Sequence, residues 1–340
     1  MTSTILSPHA PQTVSISFVH GLLSGMSERG LPFDHLLASA GIADELLQHP
    51  GARITADQYI KLFRDACTHL DDECLALLSR PFKLGSYSLM AQSSLYAPDM
   101  QQAITRIVHT FVVLQDDMTL ALVTNRELKL AGVELRFIDE RSLRRQFMHV
   151  HMLRALWRLL DWLVGGDLPI VRFDFAFEPP ADSVAFSDFF ASPIGFHKPK
   201  SAFWFDERFL QAPVRVDETG LRDFLSDPQV KLRVPGPDAD ETSAKVRSHL
   251  HATKPAWPDL DATAIELFMS PASLQRKLAR EGVTFQAIKD ELRRDLAITY
   301  LKTTTMSLKE ITDKLGFSES SAFQRAFKGW TGTAPGSYRR

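Results

Sequence analysis

Apolar positions follow two rhythms along this chain. Over the first 114 residues they recur every three or four places. Val14, Phe18, Leu22 and Met26 share one helical face, and that run stops at Gly30-Leu31-Pro32. Phe33 to Gly41 predicts a second helix closed by its glycine. Thr55 opens a third, with Ala56, Ile60, Phe63 and Cys67 turned inward. The stretch from Phe82 to Ala97 begins as a loop and becomes apolar, and Met100 to Leu114 is helical again. The rhythm then shortens. Met118 to Thr124 and Leu128 to Ile138 approach strict alternation, which predicts paired strands. Leu143 to Val164 is a long helix, apolar and aromatic, stopped by Gly165-Gly166. Ile170 to Phe177 alternates and predicts a strand, and Phe203 to Phe205 a short one. Residues 1–227 are therefore expected to form an α+β domain with antiparallel strands.

The composition changes after Ser226. Pro228, Pro235, Gly236 and Pro237, followed by Asp238, Asp240 and Glu241, mark an acidic, proline-rich connection. The linker is placed at 228–240 and a second, all-α domain at 241–340. A fragment starting near Pro237 is expected to fold alone, since it holds two complete helical hairpins.

Thr242 to His251 predicts the helix that opens this domain. In Asp261 to Gly282, Ala264, Ile265 and Leu267 form an inward face. Ser270 then caps a new helix, and Pro271 takes its first position, where a missing N–H is harmless. Leu274 and Leu278 face inward there, while Gln275, Arg276, Lys277 and Arg280 stay polar. From Ser307 onward the scheme repeats. Leu308, Ile311 and Leu315 share a face, Gly316 follows, and Ser318 is the expected N-cap of the next helix. That helix sets Ala322, Phe323, Ala326, Phe327 and Trp330 against Ser320, Ser321, Gln324, Arg325 and Lys328. Two short helices joined at a turn, the second polar and basic outside, is how a helix-turn-helix presents a recognition helix. Thr284 to Lys302 joins the two units. Its apolar face is Phe285, Ile288, Leu292, Leu296 and Leu301, and at 1.5 Å per residue it spans roughly 28 Å. That length suits the roughly 34 Å repeat of the major groove.

The wording of the last residues is more specific than their periodicity. Gly316-Phe317-Ser318, Phe323-Gln324-Arg325-Ala326-Phe327-Lys328, Gly332 to Pro335 and Tyr338-Arg339 together resemble the end of the AraC family of transcription regulators. Thr312 stands where that family usually has alanine. Phe268 stands where it often has glycine, and a phenylalanine takes positive φ only at a cost, so a locally different first turn is expected. Upstream, Gly30-Leu31, Ala40-Gly41-Ile42, Gly85-Ser86-Tyr87, Leu168-Pro169, Phe189 to Phe196 and Leu210 to Pro213 resemble the arabinose-binding-like sensor domain of one subgroup. The resemblance implies base-facing positions at Ala272, Gln275 and Arg276 in the first unit. In the second it implies Ser320, Ser321, Gln324 and Arg325. Arginine can take guanine O6 and N7 together, and glutamine can pair bidentately with adenine. Arg276 and Gln275 are thus expected to carry most of the sequence information. Arg325 has a second reading, as a partner of an acidic residue on the connector helix.

Composition adds little. The chain has 340 residues, 44% hydrophobic and 24% charged, ordinary for a globular protein. The net charge of −2 does not announce nucleic-acid binding, yet residues 255–340 carry thirteen Lys/Arg against ten Asp/Glu. No basic region with a following apolar stretch opens the chain, and a cytoplasmic location is expected. Cys67 and Cys74 read as buried thiols. His149 and His151 fall on different sides of one helix, which makes them poor joint metal ligands. The chain contains no Gly-x-Ser-x-Gly, phosphate loop or His-Glu-x-x-His. No catalytic residue, metal or cofactor is expected, and the chain is not read as an enzyme. An effector pocket is expected on the long helix and the 82–97 segment, with Phe147, Met148, His151 and Trp157 as candidates. The expected partners are promoter DNA, a small-molecule effector, RNA polymerase and a second copy in a homodimer. The alternative is an effector-independent DNA-binding protein whose N-terminal domain only dimerises or contacts polymerase.

Overall fold

The computed structural model describes residues 13–138, 146–166, 168–180, 186, 190, 192–226 and 242–339. The connection expected at 228–240 and the start of the long helix at Leu143 lie outside them. The chain forms two compact units, and they do not part at one point in the sequence. Residues 17–40 and 59–226 belong to the first, and residues 13–16, 41–58 and 242–339 to the second.

In the first unit, α1 (Ile16–Glu28), α2 (Asp34–Ser39), α3 (Ala56–Leu70), α4 (Ser86–Ser94) and α5 (Met100–Leu114) precede the sheet. The Asp99 side chain caps α5 by accepting from the Gln102 amide at 2.8 Å. Strands β3 (Met118–Asn125) and β4 (Leu130–Phe137) form a hairpin in full register, from Met118 opposite Phe137 to Asn125 opposite Leu130. β5 (Arg172–Asp174), β6 (Ile194–Gly195) and β7 (Ser201–Asp206) complete the sheet in the order β3-β4-β7-β5-β6. Neighbours run antiparallel except β5 and β6, which are parallel. The strand expected over Ile170–Phe177 pairs only at its centre. Helix α6 (Gln146–Leu163) lies against β4 and β7, and α7 (Glu218–Ser226) closes the unit. α6 is buried on nearly every side, as a helix with apolar residues all round must be. It nonetheless buries His149, Arg154, Arg158 and Asp161. His149 turns to the sheet, with Nδ1 2.6 Å from Ser201 Oγ and its ring stacked on Phe137.

The second unit begins with a two-stranded ribbon. β1 (Thr13–Ser15) pairs antiparallel with β2 (Arg53–Thr55), Val14 facing Ile54. The helix expected from Val14 starts two residues later because Thr13 and Val14 satisfy their backbone in this ribbon. Six helices follow: α8 (Thr242–Ala252), α9 (Leu260–Glu266), α10 (Pro271–Arg280), α11 (Phe285–Thr303), α12 (Leu308–Lys314) and α13 (Ser320–Thr331). Val246, Leu250, Ala264, Leu274, Leu278 and Ile288 form one core of this unit. Ile311, Leu315, Phe323, Phe327 and Tyr338 are likewise buried, and Tyr338 meets Phe327 edge-on at 5.1 Å. Burying each of these phenylalanines contributes about 1.5–3 kcal/mol. The ribbon packs onto α11. Thr13 Oγ1 donates to Asp295 at 2.6 Å, Arg53 Nε lies 3.8 Å from the same carboxylate, and the Arg53 amide donates to the Tyr338 hydroxyl at 2.9 Å.

Candidate nucleic-acid interface and internal cavity

Both helical hairpins of the second unit are built as their local chemistry requires. Ser270 caps α10, accepting from the Ser273 amide at 3.2 Å, with Pro271 next. Leu274 and Leu278 anchor the inner side of α10, so Ala272, Gln275, Arg276, Lys277 and Arg280 stand exposed on the other. Arg276 folds along its own helix, with Nε 3.3 Å from the Ala272 carbonyl and Nη2 3.4 Å from Ser273 Oγ. Before α10 the chain turns at Phe268, which holds φ at 55° and is 98% exposed. The turn expected to differ is therefore the left-handed one after all, made by a residue whose ring meets no packing. Ile265, expected inward, is 70% exposed. The inward face of α9 and its C-cap is Leu260, Thr263, Ala264 and Leu267, at i, i+3, i+4 and i+7, and Ile265 falls off it.

In the second hairpin Ser307 and Glu310 form a capping box on α12. Gly316 makes the turn with φ at 69°, and an added Cβ would stand 2.9 Å from the Trp257 ring. α13 starts one residue later than expected, with Glu319 rather than Ser318 at its N-cap. Phe323 and Phe327 are buried, and Ser321, Gln324, Arg325 and Lys328 are exposed. Ser320 is half-buried, with its Oγ 3.3 Å from the Thr312 hydroxyl oxygen. Thr312 donates to the Leu308 carbonyl at 2.7 Å, which explains how a threonine sits buried between these helices. Among the described residues no hydrogen bond or ion pair joins Arg325 to the connector helix α11.

The two outer helices correspond position by position. Ala272, Gln275 and Arg276 are second, fifth and sixth in α10, and Ser321, Gln324 and Arg325 are second, fifth and sixth in α13. Each presents a small residue, then glutamine and arginine, on one exposed face. Lys277, Arg280 and Lys328 flank these faces with further positive charge.

The first unit contains a partly open cavity of about 370 Å³, within the range of small-molecule sites. α1, α3, α4, α6 and α7 all line it. Phe147 and His151 are on its wall. Met148 and Trp157 are not. Met148 is fully buried elsewhere, and Trp157 donates Nε1 to the Leu168 carbonyl at 3.3 Å. The sequence reading missed Arg154, Arg158, Tyr59 and Tyr87, all on the wall. The missed signal was spacing, because residues 147, 151, 154 and 158 fall on one face of α6 while 148 and 157 do not. Burial pushes the Arg154 guanidinium down to about 9 and holds the Tyr59 and Tyr87 hydroxyls protonated, far above the usual phenol range. Cys67 and Cys74 are buried thiols outside any disulfide, and burial raises Cys74 well above its ordinary value. Among the described residues no group of three His, Cys, Asp or Glu side chains could hold a metal. Nor is any of their helices long and apolar enough to cross a membrane.

An α+β unit with a pocket, and two helix-turn-helix hairpins with basic outer faces on the same chain, define a one-chain DNA-binding regulator. Residues 30–214 match the arabinose-binding domain of AraC transcription regulators, and residues 263–340 a helix-turn-helix domain. The chain belongs to the AraC family of transcription regulators, as the closing motif and the upstream segments implied. It is 28% identical over 332 residues to the ornithine utilization regulator of Pseudomonas aeruginosa, covering 96% of each chain. It is 28% identical over 201 residues to VqsM of the same organism, 57% of this chain and 60% of that one. The crystal structure of CdpR from Pseudomonas aeruginosa aligns over 94% of this chain and 97% of its own at 18% identity, with a TM-score of 0.32.

Proposed function

We propose that this DNA-binding regulator reads its operator through the matched faces of α10 and α13 and answers to a small molecule bound in the cavity. The repeated Gln-Arg pair carries the first half of this reading. Gln275 and Arg276, and Gln324 and Arg325, are exposed at corresponding positions of two helices, each buttressed by a buried apolar side. Glutamine can pair bidentately with an adenine edge and arginine with a guanine edge. Ala272 and Ser321 can approach bases closely, and Lys277, Arg280 and Lys328 meet phosphates. Ser320, tied to Thr312, contributes position rather than readout. RNA polymerase and a second copy of the chain are the further partners this reading implies, in the cytoplasm.

The cavity favours effector control over the effector-independent alternative. β1 runs directly into α1, and β2 into α3, and both helices line the cavity. The relative named for ornithine utilization does not supply the effector. Ornithine carries two ammonium groups, and Glu73, the one carboxylate on the described wall, already accepts from the Gly85 and Tyr87 amides at 3.0 and 2.8 Å. The test is to select an operator from random duplex DNA and then to screen small molecules by thermal shift. An effector at about 100 times its Kd should stabilise the chain by roughly 2.7 kcal/mol. It should also change operator affinity. Stabilising ligands that leave operator affinity untouched would sink the effector half of the reading.

A further inference from the structure

We propose that Arg293 is a positioning residue for operator reading: with Trp257 and Phe317 it fixes the spacing at which α10 and α13 are presented to DNA. This rests on the reading above, in which both helices meet bases. Arg293 stands midway along α11. Its guanidinium lies between two rings, 5.1 Å from the centroid of Trp257 and 4.8 Å from that of Phe317. Each ring leads to a different hairpin. Trp257 is 4% exposed and stands two residues before Asp259, the N-cap of α9. Phe317 follows Gly316 in the turn of the second hairpin, and its ring meets those of Phe323 and Trp330 on α13 at 5.8 and 6.0 Å between centroids. Arg293 Nη2 donates to the Gly316 carbonyl at 3.3 Å. One turn earlier on α11, Lys289 Nζ donates to the Trp257 and Pro258 carbonyls at 2.8 and 3.0 Å. The Trp257 indole donates to the Lys314 carbonyl at 3.0 Å, at the end of α12, where carbonyls lack partners within the helix.

The connector sets how far apart the hairpins stand, and this cluster sets how the second is turned against the first. The entry to α9, the middle of α11 and the turn before α13 meet at one point, so none of them rotates without parting the rings. Two helices docked along one duplex must hold one phase. Moving one block of bases by a base pair shifts it about 3.4 Å along the duplex and about a tenth of a turn around it. The cluster also accounts for arginine at this position. Its Nε is buried and meets no acceptor among the described residues, so much of its hold is on the two ring faces. A planar guanidinium can lie against two rings and still donate from its edge, which the compact ammonium of a lysine does not reproduce.

The experiment takes the duplex that the unaltered chain selects from random DNA, and derivatives with its two recognised blocks one base pair closer together or farther apart. Affinities for all three are measured at one salt concentration with the full chain unaltered, with Arg293→Lys and with Phe317→Leu. The unaltered chain should bind the shifted duplexes at least about tenfold more weakly, a loss on the scale of one mismatched base pair. Arg293→Lys keeps the charge and loses the fit between the rings. It should bind the selected duplex roughly three- to tenfold more weakly and the three spacings within about twofold of one another, with base preference inside each block unchanged. Phe317→Leu removes one ring and no charge, and should relax the spacing in the same direction. It carries the test where Arg293→Lys does not fold. Spacing that both variants discriminate as sharply as the unaltered chain overturns the assignment and leaves the two-helix reading standing. Equal binding of the unaltered chain to all three spacings, or a variant that loses base preference inside a block instead of spacing preference, also overturns it. A selected duplex with a single recognised block overturns this assignment together with the reading it rests on.

Discussion

Lys328 and Arg325 lie three residues apart on α13, both exposed, and differ in what the geometry lets them do. Arg325 matches Arg276 in position, whereas Lys328 sits a turn further on. Lys328→Ala should weaken binding to all DNA sequences alike and lower the slope of log affinity against log salt by about 1. Titrations at several salt concentrations on operator and unrelated DNA check this, and a loss confined to the operator would contradict it. The candidate reading residues were legible because exposure follows from helical period and from the resemblance together. Three things were not. The sequence alone weighted the first helix over the second, because serines read little by themselves and Arg325 had a second reading as a partner of the connector helix. The N-cap of α13 was placed at Ser318 rather than Glu319, one residue early. Phe268 was misjudged because left-handed cost is a tendency, and neighbouring packing can impose it on a residue with an exposed ring.

Elements in this chain hold one another's ends. Glu281, just past α10, accepts from the Thr242 and Ser243 amides at 2.9 and 2.8 Å and so caps α8. Partial burial works against its carboxylate, but the hydrogen bonds from Ser243 and Thr242 outweigh it and hold the pKa below the usual carboxylate value. A folded-state pKa below the unfolded one gives stability that is complete above the unfolded value near about 4.3 and lost as pH falls through the folded one. Glu281→Gln should therefore cost about 0.5–1 kcal/mol at pH 7, toward the low end because the group is partly exposed. In urea unfolding, the gap between variant and parent should close as pH drops below about 4. A gap that persists there would show that the charge is not what caps α8. No sequence pattern announces such a cap, since its two halves are 38 and 39 residues apart. Long periodic elements were legible: α5 spans the predicted residues and the β3–β4 hairpin falls where alternation put it. The short ribbon β1–β2 was not, because three-residue strands carry no measurable period.

At the scale of the molecule, the ribbon is what separates the structure from a simple two-domain reading. Residues 13–16 and 41–58 pack with the helices of residues 242–339, and the sequence had assigned them to the first domain. Thr13, Arg53 and Arg294 converge on Asp295, so Asp295→Ala in the full chain should destabilise the second unit by about 2–3 kcal/mol, read by urea unfolding. A change under about 0.5 kcal/mol, the scale of an ordinary surface substitution, would show that the ribbon is not tied there. The same packing bears on a fragment from Pro237, which would leave Asp295 and Tyr338 without Thr13 and Arg53. Division between units depends on contacts between residues some 280 apart, which no local pattern encodes. The central claim is that α10 and α13 read bases. Its most direct test is a binding selection from random duplex DNA, at one fixed salt concentration, with the unaltered chain and with Arg276→Ala. The account predicts that Arg276→Ala loses about 1–3 kcal/mol on the selected operator and relaxes preference at one base pair, leaving the others in place. An unchanged preference at every position, with the fold intact, would contradict it.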